Sequence, residues 1–302
     1  VQGAQALKIN MRGVLYFTLS EIEPRAWITL TECNFRCRGC FSPARDAKGK
    51  MMYPEETLAK LNTVCTRHYG FIPEEVLITG GEPTITKEYL LSLIDGLKRL
   101  GALNIVLCTN GYEIGRDEVY GKELARSGLR EVHLDIKAYD EKLHQWYAGK
   151  SNIPVLKAVK NLIDAKIDLT VQTVYIPQIV EVAEIKKIAA FLAGINPEIK
   201  YRIDPFEPRF SYEQVARSPT QEEMEIACEA ASEYLPNTIL SMSCRREFTK
   251  EPGKSRWITV YPDLTVKRRD IKEYEDERRK EGARNGLRFG NGKVEACDKT
   301  NF

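Results

Sequence analysis

Along the middle of the chain, short apolar runs alternate with longer stretches whose apolar residues recur at helical spacing. Period-two or fully apolar segments at 26–30, 76–79, 104–108, 131–137, 168–176 and 200–204 read as strands. Between them, helical periodicity covers about 87–100, 119–127, 141–147, 153–165 and 182–192. A further helix opens at Pro54, with Glu55 and Glu56 in the first turn, where the helix dipole favours acids. Strands alternating with helices in this way predict a parallel α/β sheet with helical crossovers. Six such units fall short of the eight that close a TIM barrel.

The rhythm is absent at both ends. Residues 1–23 form an N-terminal extension whose one apolar-alternating piece, 13–19, suits an edge strand. The repeating unit occupies 24–206. After it, Pro205, Pro208 and Pro219 punctuate a C-terminal extension, 207–302. There the pattern predicts a helix over about 221–234 and two short strands flanking a turn at Tyr261-Pro262-Asp263. Residues 267–284 mix both charges, as a solvated helix would.

Composition narrows the functional classes only a little. The 302 residues are 43% hydrophobic and 29% charged, with a net charge of +2, so no overall field favours nucleic acid or anionic membranes. No apolar run is long enough to span a bilayer, and the first residues lack a signal-peptide pattern. Eight cysteines, three of them clustered and five scattered, do not make a disulfide scaffold, and a reducing cytoplasm is the expected setting.

The clustered three carry the first chemistry. Cys33, Cys37 and Cys40 follow the first strand at C-x3-C-x2-C spacing. Three thiolates can hold three corners of an iron–sulfur cube and leave one iron open for chemistry. A zinc site completed from elsewhere, with Cys65 and His68 as the loose pair on offer, is the alternative reading of the spacing. Three other strand ends carry polar motifs: Gly80-Gly81-Glu82-Pro83, Thr109-Asn110-Gly111 and Asp135-Ile136-Lys137. Catalytic groups of such barrels gather at the strands' C-terminal ends, so these four motifs are expected at one mouth. Period two sets His133, Asp135 and Lys137 on one face of a strand that should be buried on both, and a bound ligand would explain them. The last two strands offer Thr170 and Gln172, and Arg202 and Asp204, in the same way.

In order and spacing, these motifs resemble the radical S-adenosylmethionine (SAM) superfamily, and they are most similar to the glycyl-radical-enzyme activases of the pyruvate formate-lyase activating type. The resemblance runs over roughly 26–206, with Tyr147-Ala148-Gly149-Lys150 included. It implies a partial (β/α)6 TIM-like barrel with a C-terminal extension shaping the substrate mouth. It also implies a [4Fe–4S] cluster on Cys33, Cys37 and Cys40. SAM, chelated at the open iron, would be cleaved reductively to a 5′-deoxyadenosyl radical that abstracts hydrogen from a substrate.

Carried over residue by residue, Gly80, Gly81, Glu82 and Pro83 would meet the SAM amino group and Lys137 its carboxylate. Thr109, Asn110 and Asp135 would line the cofactor, and Arg202 would reach the ribose or carboxylate. Where the family often has an aromatic before the third cysteine this chain has Gly39, which leaves Phe41 to face the adenine. Cys108 stands where the activases have an Asp that joins Asp135 around a cation. Cys228, Cys244 and Cys297 lack cluster spacing, so one cluster is expected. The implied partners are a protein or small-molecule substrate and a flavodoxin or ferredoxin as reductant. The alternative is radical modification of a peptide, a tRNA base or a small metabolite, which leaves nucleic acid open as a partner. A non-catalytic metal-binding module is the remote reading.

Overall fold

In the computed structural model, residues 11–241 and 257–268 are described. The elements in chain order are β1 (Arg12–Ser20), β2 (Arg25–Leu30), β3 (Lys50–Met52), α1 (Pro54–Tyr69), β4 (Glu75–Gly80), α2 (Lys87–Arg99), β5 (Asn104–Thr109), α3 (Tyr112–Arg116), α4 (Tyr120–Ser127) and β6 (Glu131–Asp135). They continue with α5 (Glu141–Ala148), α6 (Ile153–Asp164), β7 (Asp168–Tyr175), α7 (Val182–Ile195), β8 (Lys200–Pro205), α8 (Gln221–Ser232), β9 (Thr238–Leu240), β10 (Trp257–Val260) and β11 (Val266–Arg268).

One sheet runs β11-β10-β1-β2-β4-β5-β6-β7-β8-β9, with β3 on β1 as well. From β2 to β9 every neighbouring pair is parallel, and β1, β3, β10 and β11 pair antiparallel at the other edge. Among the described residues the row does not close on itself, so the α/β barrel is partial. All six expected strands are present. Thr238–Leu240 adds a seventh parallel strand on β8, so the sheet continues past residue 206. At the other edge, 257–260 pairs with β1, and the hairpin expected around Pro262-Asp263 is formed by β10 and β11. The polar, basic stretch 41–52 contains a 3-10 turn at Pro43–Arg45 and the three residues of β3. Of the stretch read as a solvated helix, 267 and 268 lie in β11 and the rest is outside the described residues, as are Cys244 and Cys297.

Local chemistry explains the punctuation. Pro54 starts α1, Glu56 accepts from the Tyr53 N–H at 2.8 Å, and Gly70 ends the helix at φ 87°. Thr220 and Glu223 cap α8 reciprocally. Pleating then sorts the strand residues. Ile28, Ile78, Leu107, Val132, Leu134 and Val171 are fully buried beneath the helices. Each such side chain contributes about 1.5–3 kcal/mol on burial. The opposite row is polar and half-open: Thr79, Cys108, His133, Asp135 and Arg202 all keep partial access. Register sets Cys108 beside His133 and His133 beside Thr170, and one layer up Asp135 beside Gln172 and Gln172 beside Arg202. The row facing the barrel interior is thus polar beneath the strand ends.

Candidate functional site

The cysteine loop leaves β2 at Thr31 and is tied down by its backbone. Arg12, 2% exposed, donates through Nη2 to the carbonyls of Thr31 (2.6 Å) and Glu82 (3.0 Å), joining the ends of β2 and β4. Glu32 takes φ 67°, a left-handed conformation that costs a non-glycine residue about 1–3 kcal/mol. Three anchors hold it there: its N–H donates to Ala44, its carbonyl accepts from Glu82 at 2.7 Å, and Gly81 packs so closely that a Cβ would collide with it.

The carbonyl of each cysteine has its own donor. Arg36 Nη1 reaches Cys33 O at 2.8 Å, Arg45 Nη1 reaches Cys37 O at 3.0 Å, and the Tyr212 N–H reaches Cys40 O at 2.8 Å. The last turn of α5 adds the Tyr147 and Ala148 carbonyls, which accept from the Arg38 and Arg36 N–H groups at 2.9 Å. Arg38 also lies over the Trp146 ring and pairs with Glu213 at 3.0 Å. The loop is therefore shaped mainly by its backbone, and the thiols add only long contacts: Cys33 Sγ accepts from the Phe35 N–H at 3.4 Å and Cys40 Sγ donates to the Ser42 carbonyl at 3.9 Å. Burial pushes Cys33 and Cys37 up to about 12, so both are neutral until a metal displaces the proton. Among the described residues no trio of His, Cys, Asp or Glu is gathered closely enough for a single metal ion. A cube takes each thiolate on a separate iron and needs no such convergence. An open pocket of about 500 Å³ borders Cys33, with Glu32, Asn34, Arg36 and Glu113 on its wall.

The other motifs arrive as the strand order dictates. Gly80, at φ 136°, abuts the backbone of Leu30, and its carbonyl accepts from Ser42 Oγ at 3.0 Å. Among the described residues nothing donates to the Gly81 carbonyl. Glu82 is 1% exposed, and its carboxylate is committed to the protein. Its Oε1 accepts from Thr84 N (2.9 Å), Thr84 Oγ1 (2.6 Å) and Thr109 Oγ1 (2.6 Å), and its Oε2 from Asn110 N (2.7 Å). Burial pushes its pKa up, and these bonds draw it only part of the way back. It staples β4 to β5. Pro83 opens the buried turn that follows. Asn110 then extends Nδ2 to Asn34 Oδ1 at 2.8 Å, with Cys33 Sγ at 4.0 Å.

Lys137 pairs with Asp135 at 3.2 Å just beyond β6, beside the thiols. Burial alone would lower its pKa, but the negative charge of Asp135 and the bond to it outweigh that, so the ammonium stays charged. Arg202 is bound through Nε and Nη2 to Asp204 Oδ2, both at 3.0 Å. His133 sits a layer deeper with Glu131 at 2.9 Å. Phe41 stands 61% exposed, whereas Gly39 faces Tyr147 and Phe206. Sequence reasoning passed over Arg12 and the strap at 211–213, and it named Tyr147 only as part of the resemblance, with no role. An arginine opening an otherwise apolar strand was the one signal for the first.

The sequence matches the Radical SAM superfamily over residues 27–192. A protein of Methanocaldococcus jannaschii named as a candidate glycyl-radical enzyme activating enzyme is 32% identical over 219 residues, covering 71% of this chain and 79% of that protein. A Thermoplasma volcanium protein described as a candidate GTP 3',8-cyclase is 28% identical over 130 residues, 43% of this chain and 37% of that protein. In fold, Streptococcus suis SuiB bound to its precursor peptide SuiA superposes with a TM-score of 0.57 at 17% identity, over 70% of this chain and 47% of that one. Half-open barrel, cysteine loop and matched segment coincide. The chain belongs to the radical SAM superfamily, whose enzymes use a [4Fe–4S] cluster and S-adenosylmethionine. No helix among the described residues is long and apolar enough to cross a membrane.

Proposed function

We propose that Cys33, Cys37 and Cys40 hold one [4Fe–4S] cluster, and that the chain uses SAM there to install a glycyl radical in a partner protein. The observation that carries this reading is a loop held chiefly by bonds to its cysteine carbonyls, so that the three thiols after β2 keep only long contacts, while the Lys137–Asp135 pair stands at the end of β6. When bound, the cluster and SAM supply reductive cleavage and a hydrogen-abstracting radical, chemistry that belongs to the cofactors. The chain's own work is placement. Lys137 offers a charged donor to the SAM carboxylate, and the open Gly81 carbonyl an acceptor to its amino group. Asp135 and Arg202 line the lumen below, Asn110 steadies Cys33, and Glu82 serves indirectly by holding Thr109 and Asn110 in place.

The choice of a glycyl radical rests on the likeness to the Methanocaldococcus protein. The C-terminal extension shapes the mouth in this reading, since Tyr212 and Glu213 bond to Cys40 and Arg38. Reconstituted anaerobically with SAM and a flavodoxin-type reductant, the chain should raise a glycyl-radical signal in a glycyl radical enzyme from the same cell. Release of 5′-deoxyadenosine with a peptide, RNA or nucleotide, and no protein radical, would move the substrate to that class.

Lys137→Met keeps length and loses the charge. SAM affinity, titrated anaerobically, should fall by about 1.5–3 kcal/mol, the worth of a hydrogen bond to a charged group. Unchanged affinity would remove this role.

A further inference from the structure

Tyr147 ends α5 with its side chain 4% exposed, and its ring lies under the cysteine loop. A Cβ built on Gly39 would sit 2.5 Å from the Tyr147 hydroxyl and 2.8 Å from the Phe206 ring. The hydroxyl is therefore packed against the backbone between Arg38 and Cys40, and only glycine leaves it that space. A buried phenol normally finds a hydrogen-bond partner. Here the described residues provide none. Gly39 lies between Cys37 and Cys40 in the chain, so the hydroxyl stands against the backbone that carries both of these thiols.

We propose that Tyr147 donates its hydroxyl hydrogen to a sulfur of the cluster held by Cys37 and Cys40, and thereby raises the cluster's reduction potential. This rests on the cluster reading above. A sulfur is the chosen acceptor because the oxygen lies at Gly39, next in sequence to Cys40, whereas the Lys137 ammonium serves a carboxylate. Reduction adds negative charge to the sulfurs, so a donor there stabilises the reduced state more than the oxidised one, and hydrogen bonds to sulfur are among the levers that set such potentials.

The test is a redox titration without SAM, following the reduced cluster's paramagnetic signal in reconstituted wild type, Tyr147→Phe and Phe206→Leu. Iron and sulfide are counted first. Tyr147→Phe keeps the ring against Gly39 and loses the donor. Its ratio of reduced to oxidised cluster at the wild-type midpoint should drop about tenfold, or about 59 mV for one electron. Phe206→Leu keeps the hydroxyl and should hold the wild-type midpoint. An equal midpoint in loaded Tyr147→Phe overturns the proposal, and so does a shift that appears only once SAM is added. If Tyr147→Phe fails to load, 3,5-difluorotyrosine at 147 gives an almost isosteric, stronger donor. Its midpoint should rise, and an unmoved one overturns the proposal. Wild type without iron and sulfide would instead remove the cluster reading itself, and this proposal with it.

Discussion

Replacing Cys33, Cys37 or Cys40 with Ala should abolish cluster retention and SAM cleavage while leaving the fold almost intact. The separation follows from where the loop's bonds are made. Arg36, Arg45 and Tyr212 hold the carbonyls of the three cysteines, and Tyr147 and Ala148 hold the N–H groups of Arg38 and Arg36. None of these bonds involves a thiol, so a shortened side chain leaves them in place. Only Cys37, 8% exposed, loses appreciable packing, and a small-residue replacement there should cost about 1 kcal/mol. The cube loses one of its three protein ligands in each case, and the remaining two cannot define an open iron. Iron and acid-labile sulfide per chain, 5′-deoxyadenosine release and the thermal midpoint are the three measurements. A variant with full iron and full cleavage would refute the ligand assignment. Zinc without sulfide in wild type would support the metal-binding module.

Much of this was legible because it is encoded locally. The cysteine spacing lies within eight residues, and the strand ends announce themselves through glycines and a polar row of period two. Thr238–Leu240 was opaque because three partly exposed residues carry no periodicity, and only β8 makes them a strand. The pairing of 257–260 with β1 joins segments at opposite ends of the chain, which no local pattern records. Glu82 shows the same limit at the site. Its motif was visible, but its role is set by donors on residues 84, 109 and 110, which engage both oxygens of a carboxylate too deeply buried to meet a ligand's ammonium. Arg12 and Tyr147 act through partners the sequence does not join to them: Arg12 bonds carbonyls 19 and 70 residues away. Phe41 was named for its closeness to Cys40 along the chain, while the space beside Gly39 is filled by residues from α5 and the end of β8.

Glu82→Gln should destabilise the protein by about 1–3 kcal/mol and loosen the cluster site as well. The carboxylate receives four donors and faces no acceptor. A glutamine can turn its carbonyl to the side where three of them converge, Thr84 N, Thr84 Oγ1 and Thr109 Oγ1. Its amide then points at the Asn110 N–H, which now lies 2.7 Å from Oε2. Two donors face each other in a sealed space, and Asn110 must yield. Its side chain reaches Asn34 at 2.8 Å and the Cys33 sulfur at 4.0 Å, so the movement is passed to the first cluster ligand. Arg12 is affected as well: burial lowers its pKa, and the charges of Glu32 and Glu82 offset part of that cost, so losing one of them leaves the buried guanidinium less well compensated. The expected result is a lower denaturant midpoint at unchanged slope, together with faster loss of iron from the reconstituted protein. Glu82→Asp is too short to reach both strands and should fare no better. A midpoint change worth under about 0.5 kcal/mol, the range of an ordinary surface substitution, would mean that the staple between β4 and β5 is not made by this carboxylate.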